Sequence, residues 1–203
     1  MSADAWDRSG FGLGYAFESD PEFPATGQWD CPHYGFRADG STPEPFRSRW
    51  GTPLIVRFVP AGAGQWVGSF EAGGLGGTTG VFPGPAPAHA VVVCEGQPYL
   101  VDVTTPSQTS SLELLPVTQI CGVPDIDLLV LVTPTAMAAI GQAGVTWHSE
   151  RLGLDELHVL TATAHGLRCE AKSLTSQPAQ FTVDPRTGQV IAGPRFLDTW
   201  PGH

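Results

Sequence analysis

The side chains able to do chemistry in this chain are few and scattered. His148-Ser149-Glu150 has the His-x-Glu spacing of a zinc deaminase, where the histidine ligates the metal and the glutamate moves protons. That chemistry also needs a downstream Pro-Cys-x-x-Cys pair, and the sequence contains no Cys-x-x-Cys. Cys31-Pro32-His33 offers two of the four ligands of a tetrahedral zinc site. The other cysteines, Cys94, Cys121 and Cys169, lie in or beside apolar stretches and read as core thiols. Ser69 sits in Gly68-Ser69-Phe70-Glu71-Ala72, not in the Gly-x-Ser-x-Gly elbow of a nucleophilic serine. No spacing brings His89 and Asp102 to face each other beside it. Glu150, Asp155 and Glu156 are neighbours in a stretch that reads as an exposed loop, not as the opposed carboxylates of a glycosidase. No catalytic residue, metal or cofactor is therefore expected.

Binding is easier to place than catalysis. Gly73-Gly74-Leu75-Gly76-Gly77-Thr78-Thr79-Gly80 resembles a phosphate cradle but lacks the Lys-Ser/Thr ending and a long following helix. It reads as a mobile or bulged connection that would serve as one wall of a ligand site, because loops on a rigid β scaffold usually carry function. In Trp147-His148-Ser149-Glu150-Arg151, Trp147 alternates with Val145 as core, and His148, Glu150 and Arg151 project away. The candidate binding residues are Trp66, Gly74, Gly76, His148, Glu150 and Arg151.

The elements that must position these residues are short. Gly 25 and Pro 19 in 203 residues favour many turns over long helices. Leu54–Val59 and Gln65–Glu71 read as a hairpin, and Ala90–Cys94 with Tyr99–Val103 as another. Ala90–Cys94 and Ile126–Val132 are apolar on both faces, as strands lying between two layers are. Leu167 to Lys172 alternates strictly, with Arg168, Glu170 and Lys172 on the solvent side. Asp184-Pro185-Arg186-Thr187-Gly188 predicts a type I turn closed by a left-handed glycine, joining Phe181–Val183 to Val190-Ile191. Pro134 to Ile140 predicts the one short helix, capped by Thr133 or Thr135 and ended by Gly141. Residues 1–50, rich in proline and in aromatics from Trp6 to Trp50, predict an irregular segment packed on an antiparallel β domain of residues 51–203. The expected fold is mostly β: a meander sandwich, or an open barrel or propeller-like array.

Charge narrows the partners. Lys plus Arg is 10 against 20 for Asp plus Glu, a formal net charge of −10. Such a chain repels phosphate backbones and anionic membranes, and no basic patch offsets this. Met1 to Gly14 has no signal-peptide pattern and no apolar run is long enough to span a bilayer, so a soluble, cytoplasmic protein with reduced thiols is expected. The absence of asparagine and the single lysine, Lys172, are the coding bias of a GC-rich bacterial genome.

Gly144-Val-Thr-Trp147-His-Ser-Glu-Arg151-Leu, Asp155-Glu-Leu157, Asp184-Pro-Arg-Thr-Gly188, Trp50-Gly-Thr-Pro-Leu and Tyr99-Leu-Val-Asp-Val together resemble a group of β-rich proteins from high-GC bacteria, over about residues 50–193. No activity is assigned to that group, so the resemblance implies a fold and no function. Three functions stay open on the sequence. The first is a non-catalytic acidic protein that engages a basic protein partner, as a protein neutralising a basic toxin domain would. The second is a small-molecule or sugar-binding β module using Trp66, Trp147 and the glycine loop. The third is an enzyme without a recognisable motif, betrayed by a pocket where titratable side chains converge.

Overall fold

The computed structural model describes residues 10–44, 46–174 and 177–196. Trp6, named above in the N-terminal segment, lies outside them. Strands make up 45% of the chain and helix 3%, the latter as the 3-10 turns Pro106–Gln108 and Pro124–Ile126.

Among the described residues, sixteen strands form four four-stranded sheets, taken here as I to IV. Sheet I holds β1 (Tyr15–Ser19), β2 (His33–Phe36), β3 (Leu54–Pro60) and β4 (Trp66–Phe70), in the order β1-β3-β4-β2. Sheet II is the meander β5 (Gly80–Pro83), β6 (His89–Cys94), β7 (Gln97–Asp102) and β8 (Ser110–Ser111). Sheet III holds β9 (Gln119–Val123), β10 (Leu128–Val132), β11 (Met137–Gly141) and β12 (Gly144–His148). Sheet IV holds β13 (Asp155–Thr163), β14 (Gly166–Lys172), β15 (Ala179–Val183) and β16 (Val190–Ala192). All pairings are antiparallel except β2 with β4.

The sheets stack face to face in chain order. Val92 and Ala90 of β6 pack towards sheet I with Phe58, Trp66 and Phe70, whereas Val91 and Val93 pack towards sheet III with Leu129 and Leu131. In β10, Val130 and Val132 turn the other way, onto Leu167, Cys169 and Phe181 of sheet IV. The two-residue side-chain period therefore feeds two cores at once, which is why these strands are apolar throughout. Full burial of each such valine or leucine contributes about 1.5–3 kcal/mol. The arrangement is sandwich-like and multilayered, and it forms no closed barrel.

Two expectations are corrected. Residues 134–140 form no helix: β10 and β11 are a hairpin, turned at Thr133–Ala136. The Thr133 hydroxyl does cap, accepting from Ala136 N at 3.0 Å, but it caps that turn. Met and Ala are strong helix formers, yet each side chain from Met137 to Ile140 is needed in one of two flanking cores, and tertiary packing overrides propensity. The N-terminal segment is also less irregular than its prolines suggest. It supplies both edge strands of sheet I, β1 and β2, and edges are where a sheet tolerates neighbouring proline.

The other turns follow the sequence. Asp184 N donates to Gln189 O and Gly188 N to Asp184 O at 2.9 Å, with Gly188 at φ +72°. A side chain at Gly188 would strike the ring of Trp147, which donates its indole N–H to Pro185 O at 2.8 Å.

Candidate functional site

Connecting segments meet at one end of sheets I and II: residues 37–44 with 46–53, 71–79, 95–96 and 112–118. The glycine loop is their hub. Gly73 N donates to Cys94 O, Thr78 N to Val117 O, Gly96 N to Thr78 O and Val117 N to Gly96 O, all within 3.0 Å. A Cβ on Gly73 would lie 2.6 Å from Glu95 O, and one on Gly77 2.5 Å from Val117 O. The glycines are present because backbone packs on backbone. The connection, expected to be mobile or bulged, is pinned at both ends, where the Gly73 and Thr78 amides are used internally.

Large apolar side chains stand on this platform. Trp50 lies against Gly74, where an added Cβ would meet its Cβ at 3.4 Å, and is 59% exposed. Leu115 lies against Gly73 and is 42% exposed. Leu75, the next residue of the loop after Gly74, is 67% exposed. The Glu95 carboxylate borders Gly51, next to Trp50. A cluster of exposed Trp and Leu on rigid backbone is the composition of an interface hot spot.

Below it, a buried carboxylate fixes the segment that carries Trp50. Glu71 is wholly buried. Its Oε1 accepts from Arg49 N at 2.8 Å and Arg49 Nε at 3.1 Å, and its Oε2 from Ala38 N at 3.1 Å and an Arg49 terminal nitrogen at 2.9 Å. Burial pushes the Glu71 carboxyl up, but these four bonds outweigh it and hold the group below the ordinary range. Arg49 also reaches Asp39 at 2.9 Å. The Ser41 hydroxyl, the Ser41 amide and Arg49 bring Asp39 down to about 2.

The sequence candidates divide. Gly74 and Gly76 belong to the glycine loop. Trp66 is not a ligand platform: it is buried, stacked on Phe58 at 4.7 Å, and its indole donates to Val103 O at 2.8 Å. It alternates inward along β4, and the indole exposed beside the glycine loop is Trp50, which ends an irregular segment whose exposure no periodicity reports. His148 and Glu150 do meet, lining a polar cleft of about 280 Å³ with Thr187, Gln189 and Arg195. Arg151 is not among its lining residues: it donates to Gly153 O and Leu154 O and stacks on Phe196. Trp147 is buried as expected, but Val145 is 40% exposed, because the register shifts at Ala139/Ile140, where β11 pairs with β12.

The sites weighed for catalysis come apart. His33 does not face Cys31 as a co-ligand: its Nε2 is 2.8 Å from Ser69 Oγ. Burial lowers the His33 pKa, and Glu44 opposes the shift. Among the described residues no group of three or more His, Cys, Asp or Glu could hold a metal ion. His89 and Asp102 do face each other, as cross-strand partners in sheet II, but Ser69 lies in sheet I under His33. Asp102 is occupied by the Thr104 hydroxyl and the Thr104 and Thr105 amides, at 2.7–3.0 Å. Burial pushes the Cys94 and Cys121 thiols up to about 11 and Cys169 to about 12, away from thiolate chemistry. No described helix is long and apolar enough to cross a membrane.

Comparison of the chain with protein families, curated proteins and solved structures gave no match. The functional argument therefore rests on the geometry alone.

Proposed function

We propose that this chain is a non-catalytic binding protein whose acidic surface engages a basic protein partner, of the kind that neutralises a basic domain. The observation that carries this reading is the Trp50–Leu75–Leu115 cluster, held on pinned backbone and bordered by Glu95. Apolar anchors within a charged rim are how protein surfaces combine affinity with selectivity.

The charge distribution supports the sign of the partner. Four ion pairs form among the described residues, and they occupy Glu18, Asp39, Glu71 and Glu156. Among the described residues, Asp20, Glu22, Glu44, Glu95, Glu113 and Asp125 face no cation within ion-pair distance. Three arginines spend donors on backbone carbonyls: Arg37 donates to Arg47 O, Arg151 to Gly153 O and Leu154 O, and Arg186 to Ala164 O. These carboxylates stand on a chain whose formal net charge is −10.

The test is affinity capture from a high-GC bacterial extract with the wild-type chain and a Trp50→Ala, Leu75→Ser variant, captured proteins being identified by mass spectrometry. The reading expects a protein of positive net charge that the variant fails to retain and that elutes between about 50 and 300 mM salt, as screened ionic contacts do. Capture of acidic proteins only, or retention indifferent to both the variant and salt, overturns it.

A further inference from the structure

We infer that the cleft under Trp29, on the outer side of sheet I, is a binding site for a neutral saccharide. It is independent of the Trp50 surface and of any protein partner. Residues 20–32 connect β1 to β2 and lay Trp29 beside sheet I. The cleft has a volume of about 500 Å³ and is lined by Pro24, Thr26, Gln28, Trp29, Asp30 and Arg57. That size accommodates a small organic ligand.

The ring of Trp29 is held in place from several sides. The Arg57 guanidinium lies 5.5 Å from its centroid. Phe23, 58% exposed, meets it edge-on at 5.3 Å and 85°, and the His33 ring is 6.5 Å away. With the Arg57 guanidinium over the ring, the fixed indole still lines the cleft with apolar surface for a ligand that has an apolar patch.

The polar groups around it define the rest of the ligand. Arg57 donates through one terminal nitrogen to Glu18 at 3.3 Å, but its Nε is buried without a hydrogen-bond partner. A buried donor left unpaired requires an acceptor, from water or from a ligand. The Gln28 amide is exposed, and Asp30 supplies an acceptor. Thr26 donates to Gln28 O at 3.1 Å and so shapes the rim. One guanidinium and one carboxylate on the same walls disfavour a ligand carrying net charge of either sign. Donors and acceptors around an aromatic face suit a pyranose, which has a C–H face for the indole and hydroxyls that both give and accept.

The experiment is saturation-transfer NMR on the full chain with cellobiose, maltose, lactose and chitobiose at millimolar concentration, each alone. At least one should show transfer to its ring protons. Trp29→Ala should weaken that binding about tenfold or abolish it, Trp29→Phe should keep part of it, and Trp50→Ala should leave it unchanged. Gln28→Ala, at an exposed position that bears no core packing, should weaken it without touching the fold. No transfer from any of the four sugars, or transfer that persists in both Trp29→Ala and Gln28→Ala, overturns the assignment. Neither outcome bears on the basic partner, whose capture is read through Trp50 and Leu75.

Discussion

Sheets I and IV occupy equivalent places in the stack, each with one face on the core and one turned outward, yet they treat the outward face oppositely. Sheet IV leaves it bare. Arg168, Glu170 and Lys172 alternate along β14, and Gln180 on β15 bridges two of them, donating to Glu170 at 2.8 Å and accepting from Arg168 at 3.0 Å. Sheet I covers its face: Val67 and Ser69 point away from sheet II and are nevertheless buried, with Val67 N donating to Pro32 O and the Ser69 hydroxyl 2.8 Å from His33 Nε2. Phe46 closes on Gly35, where any side chain would collide with its ring. Exposed polar ladders contribute little stability, whereas a buried charge network is costly to break from one side. Both candidate ligand surfaces, at Trp50 and at Trp29, belong to the covered sheet. The irregular cover is where specific side chains can be held without belonging to a strand.

The sharpest way to break this contrast is to remove one carboxylate from each sheet. Glu71→Ala withdraws the acceptor of four hydrogen bonds and releases residues 38–49, so a loss of about 3 kcal/mol is expected. Glu170→Ala removes one exposed contact and should cost about 0.5 kcal/mol or less. Urea midpoints of the two variants, at unchanged slope, measure the difference. Equal midpoints would show that the cover of sheet I is not held by its buried charge.

A second pair of variants compares the joints between sheets. Trp66 of β4 donates to Val103 O just beyond β7, joining sheet I to sheet II. Trp147 of β12 donates to Pro185 O in the β15–β16 turn, joining sheet III to sheet IV. Trp66→Phe and Trp147→Phe each delete a buried indole donor and leave a carbonyl unpaired, a loss of about 1–2 kcal/mol apiece by thermal or urea unfolding. The two costs should be additive in the double variant, because the joints share no partner. A large coupling would mean that the stack yields as one unit and not joint by joint.

The same contrast decides what could be read beforehand. Sheets II to IV were largely legible, because their strands are short, sequential and joined by tight turns. Burial on two faces shows as continuous Val and Leu in Val91–Val93 and Leu128–Val132, and burial on one face shows as alternation in Leu167–Lys172. Met137–Ile140 was one exception, since four residues of Met, Ala and Ile satisfy helix and strand periods equally, and Gly80–Pro83 was another, a strand inside a stretch whose glycines and prolines read as loop. The covered face of sheet I was not legible. β2 pairs in parallel with a strand more than thirty residues away, and nothing local in His33–Phe36 announces it. Which tryptophan is exposed depends on that cover, so Trp66 drew attention that belongs to Trp50. Likewise His148 and Glu150 could be seen to project, but Thr187 and Gln189 reach them only because the β15–β16 turn folds back under Trp147.

The smallest expected effect is a pH dependence confined to the covered sheet. Burial keeps the folded-state pKa of His33 below its ordinary value of 6.5, with Nε2 against the Ser69 hydroxyl. The unfolded chain therefore takes up this proton first as pH falls. Stability is fully present above the ordinary histidine pKa and declines as pH drops below it, levelling once the folded-state pKa is passed. The slope is modest, because the ring is open to solvent on one side and Glu44 opposes the shift. His33→Gln should flatten the stability profile between about pH 7 and pH 5. Amide exchange gives the local reading: as pH falls, protection at Val67 and Ser69 should decrease beyond the intrinsic rate change, while Leu167 and Cys169 in sheet IV keep theirs. A profile that His33→Gln does not alter would place the titrating group elsewhere. Equal loss of protection in both sheets would show that the cover and the stack open together, and the distinction between the two end sheets would fail.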